Sequence, residues 1–395
     1  MTLDIHGGLK NTAINTSDYI VFEEMLSNAI DSYLIRQNAE KEAPPFSVEI
    51  RVEIVSTSLF DDGFDVEICC TDNGAGFGEE QVKAFITKDS TYKDRLKIQG
   101  IGKCKGAGRI QFFHHFERLS LDSVFRHGDD IRRRTLNIES ATREVSRESF
   151  AEESALGADL YTTVTLRRRR TAASIGDARS ERGATPDTFS CGGIADHLYT
   201  SFLQRLIVLR GLIGDFTIKI ASTCSGKTET ATIAGNDLPT PLETLSLPLI
   251  CEHGKGAQPT STLEITRYSF LASKFPSFQH EVALCANSAI VQQLTKRYLK
   301  SASDRHKPID GNFELILVES PLLEERVNLQ RDGFDIPAEC GTTEDLDGQF
   351  SLDDVIDSLE DYVYGIITPK DFDRDALVRA TEVKFGITQQ MLEGG

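Results

Sequence analysis

The segment from about Tyr19 to Asn38 constrains the fold of this chain most strongly, because its apolar residues recur at helical spacing. The recurring positions are Phe22, Met25, Leu26, Ala29, Ile30, Tyr33 and Leu34. Three polar residues, Glu24, Asn28 and Asp31, stand at i, i+4 and i+7 and therefore share one face of the predicted helix. Rows of this kind are also common on solvated helix faces, so the helix alone does not define a site.

A second stretch, Phe64 to Thr71, alternates and then runs apolar, which predicts a strand with Asp72 at its end. Gly74 and Gly76 follow directly. Glycines let the backbone come close to a flat ligand, while a carboxylate accepts a hydrogen bond from an exocyclic amine. Because Asp-Asn-Gly is also an ordinary turn, the interpretation depends on finding both stretches in this order and at this distance.

Together the two stretches resemble the GHKL, or Bergerat-fold, ATPase superfamily. The pattern is most similar to its heat-shock-chaperone, MORC and MutL-type members, which add a transducer domain. The Glu-x-x-x-Asn-x-x-Asp helix of that family matches this chain position for position. The resemblance implies that Glu24 is the general base, that Asn28 binds Mg²⁺, and that Asp31 is a supporting carboxylate. It thereby implies ATP and Mg²⁺ as cofactors.

The same resemblance implies that Asp72 binds the adenine ring, in a loop that Gly74 and Gly76 complete. Thr162 resembles the threonine of the family's Gly-Thr-x-Val strand, which supports the adenine-binding Asp. Tyr161 stands where glycine is usual in that strand. An ordinary β-branched strand residue is therefore the alternative for Thr162.

A glycine-rich lid end is the third element of the resemblance. Gly106 and Gly108 precede an apolar run with helical character, and backbone N–H groups at a helix start bind phosphates. The run from Gly100 to Lys103 offers a competing register for this lid.

A basic residue of the transducer domain reaches the γ-phosphate in the family. Residues Val327 to Asp332 look like the short Asn-x-x-Arg-Glu segment that carries this residue in the chaperones. The resemblance implies that Arg331 takes the role here. A surface salt bridge between Arg331 and Asp332 is the alternative.

Composition limits the remaining choices. A chain of 395 residues predicts two domains, and 39% hydrophobic with 26% charged residues is typical of a globular protein. No apolar run is long enough for a membrane span and the start is polar, which predicts a cytoplasmic protein with no membrane partner. The eight cysteines form no Cys-x-x-Cys pair, so they are interpreted as reduced thiols.

A formal charge of −18 argues against broad nucleic-acid binding, so DNA as a partner is not supported by net charge. Two local arginine runs, 132–134 and 167–170, remain candidates for a basic strip. Their alternative is to solvate an exposed sheet face.

The predicted elements indicate an α+β fold class: a Bergerat-type α/β sandwich, with a mixed sheet and helices on one face, then a second α/β domain and a helical tail. The predicted domains are an ATP-binding domain at 1–170, a linker or mobile loop at 171–193, a transducer-like domain at 194–340 and an acidic helical tail at 341–395. In the tail, an apolar stripe from Leu352 to Val363 predicts an amphipathic helix that packs on the second domain or on a partner chain.

The resemblance implies Mg²⁺-dependent ATP hydrolysis, with lid closure and ATP-dependent homodimerisation acting as a switch on a partner protein or on DNA. The alternative is a nucleotide-gated clamp with negligible turnover. A histidine kinase would need a phosphoacceptor helix ahead of the ATP domain, and a type II topoisomerase a cleavage domain after residue 340. The residues at these positions support neither of these two enzyme classes.

Overall fold

The computed structural model describes residues 2–12, 14–15, 17–40, 42–56, 63–87, 90, 92–96, 98–101, 108–139, 141–170, 185–250, 259–273, 278–286, 289–327, 333–338, 350–368 and 379. It confirms the α+β class. The chain divides into two units, the first comprising Met1–Pro239 with Asn287–Ala289 and the second Thr240–Ala286 with Ile290–Gly395.

The first unit combines helices with a large mixed sheet. Its helices are α1 (Ile5–Asn11), α2 (Ile20–Ala39), α3 (Glu79–Ile86), α4 (Tyr92–Leu96), α5 (Gly108–His115) and α6 (Cys191–Ile213). Its strands are β1 (Leu3–Asp4), β2 (Ser47–Ser56), β3 (Phe64–Asp72), β4 (Phe116–His127), β5 (Asp130–Ile138), β6 (Glu144–Val145), β7 (Ala151–Ser154), β8 (Tyr161–Arg169), β9 (Thr217–Cys224) and β10 (Lys227–Ala234).

Eight of these strands form one sheet among the described residues, in the order β10-β9-β2-β3-β8-β4-β5-β7. Neighbouring strands are antiparallel except β2 and β9, which run parallel. Strand β3, which ends in Asp72, therefore lies well inside the sheet. Strands β1 and β6 form a separate antiparallel pair.

Helix α2 is the predicted motif helix, and it packs against β3, α5 and α6. Phe22, Leu26 and Ile30 are fully buried, as the helical spacing of the apolar residues predicts. Burying one such side chain contributes roughly 2 kcal/mol. The helix is thus held in place by its apolar face.

The first unit extends further along the chain than the domain boundary predicted at 171–193. Helix α6 and the β9–β10 hairpin belong to it, because β9 pairs along its whole length with β2 and buries Ile218 and Ile220. A parallel pairing between strands this far apart in sequence leaves no local signal. Of the predicted linker, residues 171–184 lie outside the described part of the chain.

Both arginine runs contain residues that lie in ion pairs within the first unit. These pairs are Arg132–Glu152, Arg133–Asp122, Arg134–Glu152, Arg167–Glu67 and Arg169–Asp18. The Arg134 side chain is only 1% exposed, and its guanidinium carbon lies 4.5 Å from the centroid of the Phe125 ring. Since carboxylates already neutralise these arginines, they do not offer an uncompensated basic strip.

The second unit is built on a smaller mixed sheet, whose order among the described residues is β11-β12-β15-β13-β14. The strands are β11 (Glu243–Ile250), β12 (Pro259–Leu271), β13 (Glu281–Ala286), β14 (Ala289–Gln293) and β15 (Asn312–Glu319). Its helices are α7 (Thr295–Tyr298), α8 (Ala302–Arg305), α9 (Pro321–Glu325) and α10 (Leu352–Ile367). Strand β15 is antiparallel to β12 and parallel to β13.

Helix α10 is the predicted amphipathic helix of the tail. It begins with a capping box, in which the Ser351 hydroxyl accepts from the Asp354 amide and the Asp354 carboxylate accepts from the Ser351 amide. Its stripe, Leu352, Val355, Leu359 and Val363, is buried in the core of the second unit. The stripe therefore packs on the second domain. None of the described helices is long and apolar enough to span a membrane.

Candidate functional site

A cavity of about 190 Å³ in the first unit brings together most of the residues singled out from the sequence. The predicted site residues on its lining are Glu24, Asn28, Asp31, Asp72, Gly76, Gly108 and Thr162. Its apolar lining includes Met25, Ile35, Phe77, Phe85, Phe112, Leu119, Leu121 and Val164. Gly74 contacts this site through its backbone amide, which donates to the Asp72 carboxylate. Gly106 and Arg331 lie outside the described residues, so their roles stay predictions.

Asp72 lies in the cavity because of strand periodicity. Val66, Ile68, Cys70 and Asp72 alternate along β3 on its buried face, so the last residue of the strand points the same way as its core residues. The Asp72 carboxylate accepts a hydrogen bond from the Gly74 amide at 2.9 Å. Burial nevertheless raises the pKa of Asp72 to about 7, since desolvation outweighs that one hydrogen bond. Asp72 is thus a buried acceptor poised to gain or lose a proton near neutrality.

The glycine loop after β3 is packed against neighbouring backbone and helix. The Ala75 amide donates to the Ser32 hydroxyl at 3.1 Å, which ties the loop to α2. A side chain at Gly74 would overlap Ser32, and one at Gly76 would overlap the backbone carbonyl of Val124. Gly76 also has a φ of 79°, a conformation that strongly favours glycine. Glycine is therefore required at both positions because neighbouring atoms lie too close for a side chain, and not only because the chain turns there.

We expect Gly76→Ala to destabilise the protein by roughly 3 kcal/mol, because the added Cβ meets a fixed backbone carbonyl and the left-handed φ is strained. Gly128→Ala is the matched control, since Gly128 has a φ of 62° but open space around it. That control should cost only about 1 kcal/mol. Urea unfolding of both variants measures the difference, and equal losses would show that the loop yields to the side chain.

Thr162 lies opposite Asp72 in the pairing of β8 with β3. Its hydroxyl is 2.9 Å from the Ser123 hydroxyl, which donates to the Tyr161 carbonyl and accepts from the Phe77 amide. Ser123 is fully buried. Thr162 therefore contacts Ser123, and Ser123 in turn supports the loop that follows Asp72. Ser123 had no sequence signal, because a serine within a strand is unremarkable until its partners are known.

Glu24 lies where α2 meets the start of α5. A Cβ at Gly108 would overlap the Glu24 carboxylate, so the absence of a side chain at the first residue of α5 allows this approach. Burial raises the pKa of Glu24, and Glu23 and Asp31 add to that effect, while Lys93 and Arg205 oppose it. A carboxyl group with a raised pKa beside a helix N-terminus is suited to accept a proton.

Asn28 and Asp31 are held by two cations that the sequence did not single out. The Lys93 ammonium on α4 donates to the Asn28 amide oxygen at 3.0 Å and to the Asp31 carboxylate at 2.5 Å. Arg205 on α6 donates to the other Asp31 oxygen, and it reaches the Ser27 hydroxyl at 2.6 Å. Helix α6 carries two arginines, Arg205 and Arg210, and nothing in the sequence distinguishes Arg205 as the partner of Asp31.

This arrangement does not fit a bound Mg²⁺ as it stands, because a protein cation already occupies the oxygen that the resemblance assigns to the metal. Both Asp31 oxygens are likewise engaged by Lys93 and Arg205. Nor do the described residues contain any cluster of three or more His, Cys, Asp or Glu side chains that could hold a metal ion.

Solved structures are similar to this chain, whereas family models and curated proteins are not. No protein-family model and no curated protein matches the chain. A solved structure, described as the N-terminal domain of a DNA repair protein, is similar with a TM-score of 0.49 and 13% sequence identity, over 90% of this chain and 95% of that one.

Proposed function

We propose that the cavity of the first unit binds ATP. The observation that carries the proposal is that one cavity joins a buried acceptor, Asp72, with the polar row of Glu24, Asn28 and Asp31. Asp72 accepts from the adenine amine, the apolar lining covers the ring, and the start of α5 at Gly108 faces the phosphates. With these assignments, we propose that the chain acts as an ATPase of the GHKL type.

Hydrolysis is the proposed reaction, with Glu24 polarising the attacking water. Phosphoryl transfer needs mainly positioning and charge stabilisation from the protein. Glu24 suits the task because it is partly buried and its pKa is raised. Lid closure, ATP-dependent homodimerisation and action on a partner protein or on DNA are the proposed consequences of binding. Arg331 is the proposed γ-phosphate contact.

A nucleotide-gated clamp with negligible turnover is the second candidate. It is favoured by the hydrogen bond from Lys93 to Asn28, since a site whose metal ligand is engaged can bind nucleotide without supporting phosphoryl transfer. The two functions share the binding step and differ in the chemical step.

Calorimetry with ATP, ADP and GTP, together with a phosphate-release assay, tests both candidates. Binding of the adenine nucleotides but not of GTP supports the adenine assignment. Phosphate release then identifies the ATPase, and binding without release identifies the clamp. A protein that binds none of the three nucleotides contradicts the proposed function.

We expect nucleotide affinity to fall about tenfold between pH 8 and pH 6, because Asp72 titrates with a pKa of about 7. Below that pH the carboxyl group carries a proton and presents a donor to the amine, which is also a donor. Adenosine is the appropriate probe, since it lacks phosphates that titrate in the same range. An affinity for adenosine that does not change with pH would argue against Asp72 as its acceptor.

A further inference from the structure

Arg109, in the first turn of α5, lines the cavity but has no role in the proposed function. Its guanidinium lies at the C-terminal end of α3. One terminal nitrogen donates to the Ala84 carbonyl oxygen at 3.2 Å, and the other donates to the Thr87 carbonyl oxygen at 2.7 Å. The last carbonyls of a helix lack partners within the helix and carry partial negative charge, so they suit a cationic fork. Arg109 thereby ties the start of α5 to the end of α3.

Helix α3 is a firm support for this contact. Its apolar face is buried through Val82 and Ile86. The Phe85 ring packs edge to face with the Phe77 ring, and the two centroids are 5.8 Å apart. The guanidinium carbon of Arg109 also lies 5.8 Å from the centroid of the Phe85 ring. A cation at this distance from an aromatic face is attracted to it, which adds to the two hydrogen bonds.

The same turn of α5 faces Glu24. Gly108 has no side chain, and a Cβ there would overlap the Glu24 carboxylate. The body of α5 is held separately, by buried apolar side chains that include Ile110 and Phe113. Loss of the Arg109 contact therefore releases the part of α5 nearest Glu24, while the body of the helix stays packed.

We propose that Arg109 is a positioning residue that fixes the first turn of α5 beside Glu24 and so sets the geometry of the phosphate end of the site. The first amides of a helix have no partner within the helix, so their use by an anion depends on where that turn stands. A planar guanidinium bonded to two carbonyls restrains the turn in a way that a single ammonium does not. This inference rests on the proposed function, in which those amides face the phosphates.

The variants Arg109→Met and Arg109→Lys test the inference on the full chain. Methionine removes both hydrogen bonds and keeps an apolar stem, whereas lysine keeps the charge but loses the fork. Lys83→Met is the matched control, because Lys83 is an exposed cation on α3 that pairs with Glu80. Calorimetry compares ATP with adenosine, which lacks phosphates and therefore reports the adenine end alone. Hydrogen exchange of the ligand-free proteins, followed on peptides of α5 and α2, reports the turn itself.

Both Arg109 variants should bind ATP about tenfold more weakly than the parent protein, as expected for lost charge-assisted hydrogen bonds, and should keep its affinity for adenosine. Exchange in α5 should be about tenfold faster in both variants and unchanged in α2. Lys83→Met should match the parent in every measurement. If Arg109→Met fails to fold by circular dichroism, Arg109→Lys alone decides the test.

Three outcomes would overturn the inference. ATP affinity equal to that of the parent in Arg109→Lys would show that a positive charge suffices, without the fork. Equal losses of ATP and adenosine affinity would show that Arg109 supports the fold of the whole site. Unchanged exchange in α5 would show that the turn does not depend on Arg109. Because exchange is measured without nucleotide, this result is separate from a failure of the parent protein to bind ATP, which contradicts the proposed function.

Discussion

Replacement of Asp72 by asparagine is expected to abolish nucleotide binding and, at the same time, to make the ligand-free protein more stable at pH 8. The amide oxygen of asparagine can still accept from the Gly74 amide, so the loop is retained. Recognition is lost because an amide that keeps this bond directs its NH₂ group, a donor, toward the amine of adenine. Function and stability thus respond to this residue in opposite directions.

The gain in stability follows from the raised pKa. Folding raises the pKa of Asp72 from 3.8 to about 7, so the folded state holds its proton over a range in which the unfolded chain has lost it. The cost of the buried carboxylate is absent below pH 3.8, grows as the pH rises, and is complete above pH 7. Its size is of the order of 4 kcal/mol, at about 1.4 kcal/mol per unit.

Urea unfolding of the parent and Asp72→Asn at pH 8 and pH 4, with calorimetry on ATP, measures both effects. The stability difference should be large at pH 8 and nearly vanish at pH 4. Undiminished ATP affinity in Asp72→Asn would remove the adenine assignment. Equal stabilities at pH 8 would show that the carboxylate is better solvated than its burial indicates.

Replacement of Glu24 by alanine is expected to preserve ATP binding and to slow turnover by roughly 10²–10⁴-fold, the usual contribution of a positioned general base. Binding should persist because Asp72 and the glycine loop are untouched. Single-turnover phosphate release, with binding measured separately, gives both quantities.

Glu23→Ala is the control for this experiment. Glu23 is the neighbouring carboxylate, but it lies about 100° round the helix and pairs with His197 at 2.6 Å. Turnover in Glu23→Ala should therefore match the parent. If Glu24→Ala hydrolyses ATP like the parent, or Glu23→Ala loses turnover instead, the base has been assigned to the wrong carboxylate.

Local patterns in the sequence were enough to predict much of this chain. The helical spacing around Leu26 and Ile30 predicted α2, and the alternation before Asp72 predicted β3 with Asp72 at its end. The stripe of α10 was predicted from its period alone. Each of these signals lies within one element, where burial repeats with the period of the backbone. The α+β class follows from the same signals.

Tertiary structure decided which distant residues meet. Lys93 and Arg205 lie 62 and 174 residues from the Asp31 that they neutralise, and no periodicity links them. The pairing of β9 with β2, which puts residues after the predicted linker into the first unit, is equally non-local. The sequence by itself thus determined the elements and the row of Glu24, Asn28 and Asp31, because periodicity is a property of each segment. Only the tertiary structure shows which cations engage that row. An ion pair forms where two elements approach each other, and the sequence of neither element alone specifies that approach.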